Sequence, residues 1–170
     1  MAKQDAVERI VGQWREQRPD LDVSPLEVIG RVSRLSRLID RRLGENFAEH
    51  GIEAWMYDVM ATLRRTGEPY ELYAGDLVEQ TMVTTGAITN RIDRLAERGL
   101  VERHHSTDDR RKVIVRLTPE GRRLVDEVAP GHYDVEQRML ASLSTSERSR
   151  LAGALRTVLL DLGDEAAPDA

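Results

Sequence analysis

Residues 84–99 read Thr84-Thr85-Gly86-Ala87-Ile88-Thr89-Asn90-Arg91-Ile92-Asp93-Arg94-Leu95-Ala96-Glu97-Arg98-Gly99, and this stretch decides the fold. Its apolar side chains recur at Ile88, Ile92 and Leu95, which is the spacing of one buried helix face. The two threonines predict an N-cap, and Gly99 predicts the left-handed residue that ends the helix. The opposite face carries small, polar or basic residues, namely Gly86, Thr89, Asn90, Asp93 and Arg94. Such a face can enter a DNA major groove and contact base edges.

Two alternating segments follow this helix. Residues 100–104 and 112–117 alternate between apolar and polar side chains, which predicts two strands. Between them, Ser106-Thr107-Asp108-Asp109-Arg110-Arg111 is a polar turn with two arginines. Before the helix, residues 72–80 predict a short helix, and residues 81–83 predict the turn of a helix-turn-helix. This order of elements predicts a winged helix-turn-helix with a small β-hairpin as its wing.

Long amphipathic helices flank the winged helix. They are predicted over residues 6–18, from Ser24 to Gly51, from Thr118 onward with a kink at Pro130-Gly131, and from Ser144 onward. Ser24 with Glu27 and Ser144 with Glu147 each match a capping box. We therefore expect one compact, mainly α domain with a small β-hairpin (α+β). Its segments are N-terminal helices (1–51), a DNA-binding core (52–117), C-terminal dimerisation helices (118–163) and a disordered tail (164–170). The flanking helices predict a two-fold homodimer.

Charge is unevenly distributed along the chain. The net charge is −5, but residues 80–123 hold ten basic and six acidic side chains and are therefore net positive. A basic face on an acidic body favours local contact with phosphates. The chain has no cysteine, no apolar run of membrane-spanning length and no signal peptide at its start, which predicts a cytoplasmic protein without disulfides.

Six residues are the predicted DNA contacts. Asn90 can donate to and accept from adenine, while Thr85 and Thr89 suit phosphate or a thymine methyl group. Arg94 lies on the same helix face as Asn90. Arg110 and Arg111 are expected in or beside the minor groove, with Asp108 or Asp109 orienting one guanidinium.

The wing also carries a family resemblance. Asp108-Asp109-Arg110-Arg111, followed by the sequence from Val113 to Gly121, resembles the wing of MarR-type regulators, and residues 90–101 are similar to their recognition helix. The resemblance covers nearly the whole chain. It implies a homodimeric winged-helix repressor that releases double-stranded DNA when it binds a small effector.

A narrower resemblance concerns the urate-responsive branch of that family. Trp14 on an additional first helix, Asp58, Arg91 and Arg103 match the four positions that mark this branch. The resemblance implies that Trp14 and the two arginines hold urate, and that the bound anion repels Asp58 and shifts the recognition helix. On the helical wheel Arg91 flanks the buried stripe, where an unpaired charge is costly, so Asp58 is a candidate ion-pair partner in the free protein.

Other interpretations of these residues stay open. Trp14 can be a packing residue, Asp58 and Arg91 a structural ion pair, and Arg103 a phosphate contact. Related pockets could take polycarboxylates or phenolic acids, and a winged helix can also bind protein. The sequence contains no P-loop, nucleophile elbow or HExxH motif, and His104 and His105 point to opposite faces of a strand. We therefore expect neither an enzyme nor a metal or cofactor site.

Overall fold

The computed structural model describes residues 3–81 and 88–165. Within these ranges the chain is mainly helical, with helices α1 (Ala6–Gln17), α2 (Ser24–Glu49), α3 (Ala54–Arg65), α4 (Ala74–Gln80), α5 (Ile88–Glu97), α6 (Pro119–Met139) and α7 (Thr145–Asp161). Strands β1 (Glu71–Tyr73), β2 (Val101–His105) and β3 (Val113–Leu117) form one antiparallel sheet in the order β1-β3-β2. The predicted fold class, mainly α with a small β wing, is therefore confirmed. Of the predicted tail, residues 166–170 lie outside the described residues.

The contacts within the chain define two compact units, residues 1–132 and residues 133–170. The first unit contains α1 to α5, the sheet and the larger part of α6. The second contains the end of α6 and the whole of α7. The functional division into residues 1–51, 52–117 and 118–163 stays a prediction.

Helix α3 forms the centre of the core of the first unit. Its residues Met60 and Leu63 are fully buried, together with Leu77 of α4, Leu95 of α5 and Val115 of β3. The apolar stripe predicted for α5 is confirmed, because Ile88 and Ile92 are buried beside Leu95. Burying a side chain of this size contributes about 1.5–3 kcal/mol. The inner face of α5 is therefore fixed by packing, which leaves its outer face toward solvent.

The prediction of a helix over residues 72–80 is wrong at its start. Leu72 lies in β1 and is paired with Val115 of β3, and α4 begins only at Ala74. The central strand β3 has two edges, and β2 pairs with only one of them, so the backbone groups of the other need a partner. Residues 71–73 supply it and extend the wing to three strands.

The start of α2 also differs from its prediction. The helix begins at Ser24 itself, its N-cap is Val23, and no side chain caps it at that position. The Ser24 N–H donates to Asp22 Oδ1 at 2.9 Å, so the aspartate two residues earlier replaces the predicted serine cap. Glu27 does not reach back to the cap and instead accepts from Arg15 Nη2 of α1 at 2.6 Å. This ion pair connects α1 to α2.

The helix starts predicted at Thr118 and Ser144 are both observed. Thr118 Oγ1 accepts from the Gly121 N–H at 3.0 Å at the start of α6, and α6 continues through Pro130. Ser144 and Glu147 form the full capping box of α7, since each side chain bonds the other residue's backbone N–H. The hydrogen bond from Ser144 also lowers the pKa of the Glu147 carboxyl below its usual range.

Replacing Ser144 with alanine is expected to destabilise α7 by about 1 kcal/mol, because the Glu147 N–H in its first turn loses the hydroxyl oxygen that accepts its hydrogen bond. Thermal unfolding at a fixed protein concentration measures the effect. Ser149→Ala, on an exposed turn of the same helix, is the matched control. Equal melting temperatures for the two variants would show that the capping box contributes no stability.

Candidate nucleic-acid and effector interface

The outer face of α5 is open to solvent. Thr89 and Asn90 are both exposed, directly above the buried Ile88 and Ile92. The third predicted contact of this region, Thr85, lies outside the described residues, as do the predicted cap residue Thr84 and Gly86. The helix therefore presents an amide and a hydroxyl on a rigid element, as contact with base edges requires.

Arg94 is on the same face, one turn after Asn90, but its guanidinium turns back toward α3. Nη2 donates to Glu53 Oε1 at 2.7 Å, and Cζ lies 4.8 Å from the centroid of the Trp55 ring. The Arg94 side chain is still 48% exposed. In this conformation Arg94 is an intramolecular ion-pair partner, and its guanidinium is held toward α3.

The loop between β2 and β3 is a tight, charged turn. The Ser106 N–H donates to Lys112 O at 3.0 Å, and the Lys112 N–H donates to Asp109 O at 2.9 Å. Asp109 Oδ1 accepts from the Arg111 backbone N–H at 3.0 Å and from its Nε at 3.2 Å. The bond from the Arg111 side chain has the larger effect and the bond from its backbone N–H the smaller one, and together they hold the pKa of the Asp109 carboxyl below its usual range. The structure thus selects Asp109 rather than Asp108 as the residue that orients a guanidinium.

Both wing arginines project into solvent. The Arg111 side chain is 91% exposed despite its bond to Asp109, and Arg110 is exposed beside an open groove lined by His105, Ser106 and Thr107. Two adjacent guanidiniums at the tip of a hairpin are well placed to contact a phosphate backbone or enter a minor groove.

One basic residue in the loop of the wing was missed in the sequence. The Lys112 ammonium lies 5.1 Å from the centroid of the Tyr73 ring, at the end of β1. This contact supports the lysine beside Arg111 and gives the wing a third exposed cation. The uninterrupted basic run Arg110-Arg111-Lys112 could have indicated this lysine in the sequence. Its contact with Tyr73, however, depends on β1, which the sequence did not predict.

The predicted effector residue Trp14 lies on α1. Val7 and Val11 of this helix are buried, whereas the Trp14 side chain is 46% exposed and lines a groove with Gln13 and Gln17. An exposed indole is available to stack on a planar ligand.

Arg91 of α5 lies beside an aromatic ring of α3. Among the described residues, its Nη1 is buried without a hydrogen-bond partner. Its Cζ lies 5.6 Å from the centroid of the Trp55 ring, and Asp58 is half-buried one turn further along α3. A cation over an indole ring is attracted to it, but this contact leaves the Nη1 donor unsatisfied.

Arg103, the fourth predicted effector residue, connects β2 to α5. Its Nη1 forms an ion pair with Asp93 Oδ1. Arg91 and Arg103 are thus both tied to the helix that carries Asn90, one as part of it and one through Asp93. A ligand that engages either arginine can act directly on the position of α5.

Trp55 and Glu53 are functional candidates that the sequence did not reveal. Trp55 Nε1 donates to Glu53 Oε2 at 2.9 Å, and this bond, followed by the one from Arg94, lowers the pKa of the Glu53 carboxyl. The spacing of Trp55, four residues from the buried Val59, fits the apolar stripe of α3. Its indole is instead half-buried and contacts two arginines of α5.

The described residues contain neither a candidate metal site nor a candidate membrane span. Within residues 3–81 and 88–165, no three histidine or acidic side chains are grouped in a way that could hold a metal ion. None of the helices in the same ranges combines the length and the apolar character that crossing a membrane requires.

Comparison with known proteins supplies the family. The model of the MarR family matches residues 56–113, which run from α3 to the start of β3. The HTH-type transcriptional regulator PecS of Dickeya dadantii is 40% identical over 158 residues, which cover 93% of this chain and 95% of PecS. The chain belongs to the MarR family. It is therefore a transcriptional regulator with the winged helix-turn-helix fold of that family.

Two solved structures of MarR-family proteins are similar to this one. A cysteine-to-serine variant of Escherichia coli MarR, complexed with operator DNA, has a TM-score of 0.70 at 26% identity and covers 86% of this chain and 97% of its own. The DNA binding of Bordetella bronchiseptica BpsR is regulated by 6-hydroxynicotinic acid. Its structure has a TM-score of 0.70 at 28% identity and covers 77% of this chain and 91% of its own. The MarR family thus includes relatives that bind operator DNA and relatives controlled by a small ligand.

Proposed function

We propose that this MarR-family protein is a repressor that binds a pseudo-palindromic operator as a homodimer and is released by a small planar anion, with urate as the first candidate. The observation that carries the DNA-binding part is the pairing of two exposed surfaces in one unit. The outer face of α5 presents Thr89 and Asn90, and the wing presents Arg110 and Arg111. These surfaces supply base-edge donors and phosphate-binding cations respectively.

The homodimer is supported by apolar side chains that remain exposed in the single chain. On α2 these are Val28, Ile29, Val32, Leu35 and Leu38, and on α7 they are Leu151, Leu155, Val158, Leu159, Leu160 and Leu162. Contiguous exposed apolar residues on a helix mark an interaction surface. A second copy of the chain would cover them, and a two-fold dimer would place two α5 helices in major grooves about 34–36 Å apart.

The anionic effector is supported by the chemistry around Arg91. A buried guanidinium nitrogen without a partner favours a ligand that brings a negative charge and acceptor atoms. Urate and 6-hydroxynicotinate, the regulator of BpsR, are both planar heteroaromatic anions. Trp14, Asp58, Arg91 and Arg103 are the proposed effector residues, and the effector would reposition α5 through Arg91 and Arg103.

Fluorescence anisotropy with a labelled duplex from the region upstream of the protein's own gene tests this proposal. We expect urate to weaken operator binding by roughly 5–150-fold, the usual range of allosteric coupling. Arg91→Ala should still bind the operator but lose the response to urate. Arg41→Ala, which removes an exposed arginine of α2, is the matched control and should respond like the wild type.

Each other result has a defined meaning. Release by urate that persists in Arg91→Ala would contradict the effector site. Release by 6-hydroxynicotinate but not by urate would support the second candidate, a regulator of the same class for a different aromatic acid. Release by neither would contradict anion control. Absence of binding even at low salt would contradict the repressor itself and favour a winged helix that binds protein.

A further inference from the structure

Two arginines of α5 share one aromatic ring of α3. Arg91 and Arg94 are one helical turn apart, and their Cζ atoms lie 5.6 and 4.8 Å from the centroid of the Trp55 ring. Glu53, the residue before α3, accepts from Trp55 Nε1 with one carboxylate oxygen and from Arg94 Nη2 with the other. We refer to Glu53 and Trp55 together as the Glu53–Trp55 clamp.

The clamp and DNA compete for the guanidinium of Arg94. Arg94 follows Asn90 by four residues, so the two side chains project from the same face of α5. Glu53 accepts one of the five N–H groups of Arg94 at 2.7 Å, and the guanidinium is held beside the Trp55 ring of α3. An operator contact that draws the guanidinium outward from α5 therefore has to open the clamp.

The clamp is also weak enough to open. The Arg94 and Glu53 side chains are about half exposed. Ion pairs at such positions are screened by water and contribute little to stability. A phosphate can therefore compete with Glu53 for the guanidinium, and the strength of the clamp enters directly into the affinity for DNA.

We propose that the Glu53–Trp55 clamp is a positioning device that holds Arg94 away from DNA in the free protein and thereby limits the affinity of the repressor for its operator. This inference rests on the proposed function, because it concerns the free-energy cost of binding the same operator DNA. It also makes Trp55 the group through which a ligand at Arg91 reaches Arg94. The clamp thus gives α5 two arrangements: Arg94 on Glu53 without DNA, and Arg94 on DNA in the complex.

The test is a double-mutant cycle measured by operator anisotropy on the full-length protein. Glu53→Gln keeps an oxygen that can accept from Trp55 Nε1 but removes the charge that holds Arg94. We expect this variant to bind the operator about three- to fivefold more tightly, the size expected for loss of an exposed ion pair. In the Arg94→Ala background the same substitution should change the affinity by less than twofold.

The controls separate the clamp from a general effect of charge. Glu97→Gln removes one exposed carboxylate from the end of α5, away from the clamp. It therefore measures how much operator affinity increases when any negative charge near DNA is lost. An equal gain from Glu53→Gln and Glu97→Gln would overturn the proposal. A gain that survives in the Arg94→Ala background, or unchanged operator binding by Arg94→Ala alone, would overturn it as well.

Failure of the clamp and failure of the proposed function give different results. The titrations are run at low salt, where weakened variants still bind measurably. If the wild type binds the operator and the cycle is additive, the clamp is wrong and the repressor stands. If the wild type does not bind, the proposed function is wrong and so is the clamp that rests on it. Matching melting temperatures for Glu53→Gln and the wild type confirm that the fold is intact.

Discussion

Replacing Gly121 with alanine is expected to lower the free energy of unfolding by about 3 kcal/mol, the upper end of the cost of inserting one methyl group into a packed site. A Cβ at this position would overlap the Leu100 carbonyl oxygen and lie 2.9 Å from Leu117 Cδ1. The carbonyl cannot move without cost, because it accepts the Thr118 N–H at 3.1 Å where α6 meets β2. The first turn of α6 is therefore held against the backbone before β2.

Thermal unfolding at a fixed protein concentration measures this prediction. For a chain of this length a loss of about 3 kcal/mol lowers the melting temperature by roughly 6–12 °C. Gly12→Ala is the matched control, because a Cβ at this helical position of α1 meets nothing within 4 Å. It should stabilise the protein by about 0.5–1 kcal/mol. Similar shifts for both variants would contradict the close approach of α6 to Leu100.

The second large effect is expected at the wing. Removing both guanidiniums in an Arg110→Ala/Arg111→Ala variant should weaken operator binding about 10- to 100-fold, and by a similar factor for unrelated DNA, because backbone contacts carry no sequence information. The fall of log affinity with log salt should become shallower by about two, one for each lost phosphate contact. Anisotropy titrations at several salt concentrations give both quantities.

A matched pair of arginines controls for net charge. Arg41 and Arg42 are adjacent on α2, exposed, and paired only with Glu45 among the described residues. Their double alanine variant loses the same two charges away from the wing, so it should retain both the affinity and the salt dependence of the wild type. Equal losses in the two double variants would show that overall charge, and not the wing, determines binding.

Elements with a strong local signal could be predicted from the sequence. The stripe of Ile88, Ile92 and Leu95 gave the correct buried face of α5, because a helix that packs on one side repeats its apolar residues at that spacing. Gly99 has a φ of 69° and ends this helix as expected. Ser144 and Glu147 formed their capping box because both partners lie within one turn of chain.

Elements that depend on distant partners could not be predicted. Strand β1 has three residues and exists through its pairing with β3, more than forty residues later. Leu72 fits either a strand or the start of α4 when only its neighbours are considered. The cap of α2 failed for a smaller reason, since Asp22 and Ser24 compete for the same helix start and the aspartate is the one bonded to the backbone.

The residues of the candidate site also divide into those with a local sequence signal and those whose contacts depend on distant partners. The sequence correctly placed Asn90 and both wing arginines in solvent, since each position follows from a local pattern. It could not show that Arg94 pairs with Glu53, a residue on another element and far away in the chain, or that Arg91 lies over Trp55. Long cationic side chains reach partners several ångströms from their own backbone, so their contacts depend on tertiary packing.

The most direct test of the account is the ratio of affinities for the operator and for a permuted duplex of the same length. We predict that wild-type protein prefers the operator at least about 1,000-fold, as specific regulators do. Asn90→Ala should lose about 1–3 kcal/mol of that preference while keeping its affinity for permuted DNA. An unchanged ratio in Asn90→Ala, or a wild-type ratio near one, would contradict the claim that the outer face of α5 reads the sequence of the operator.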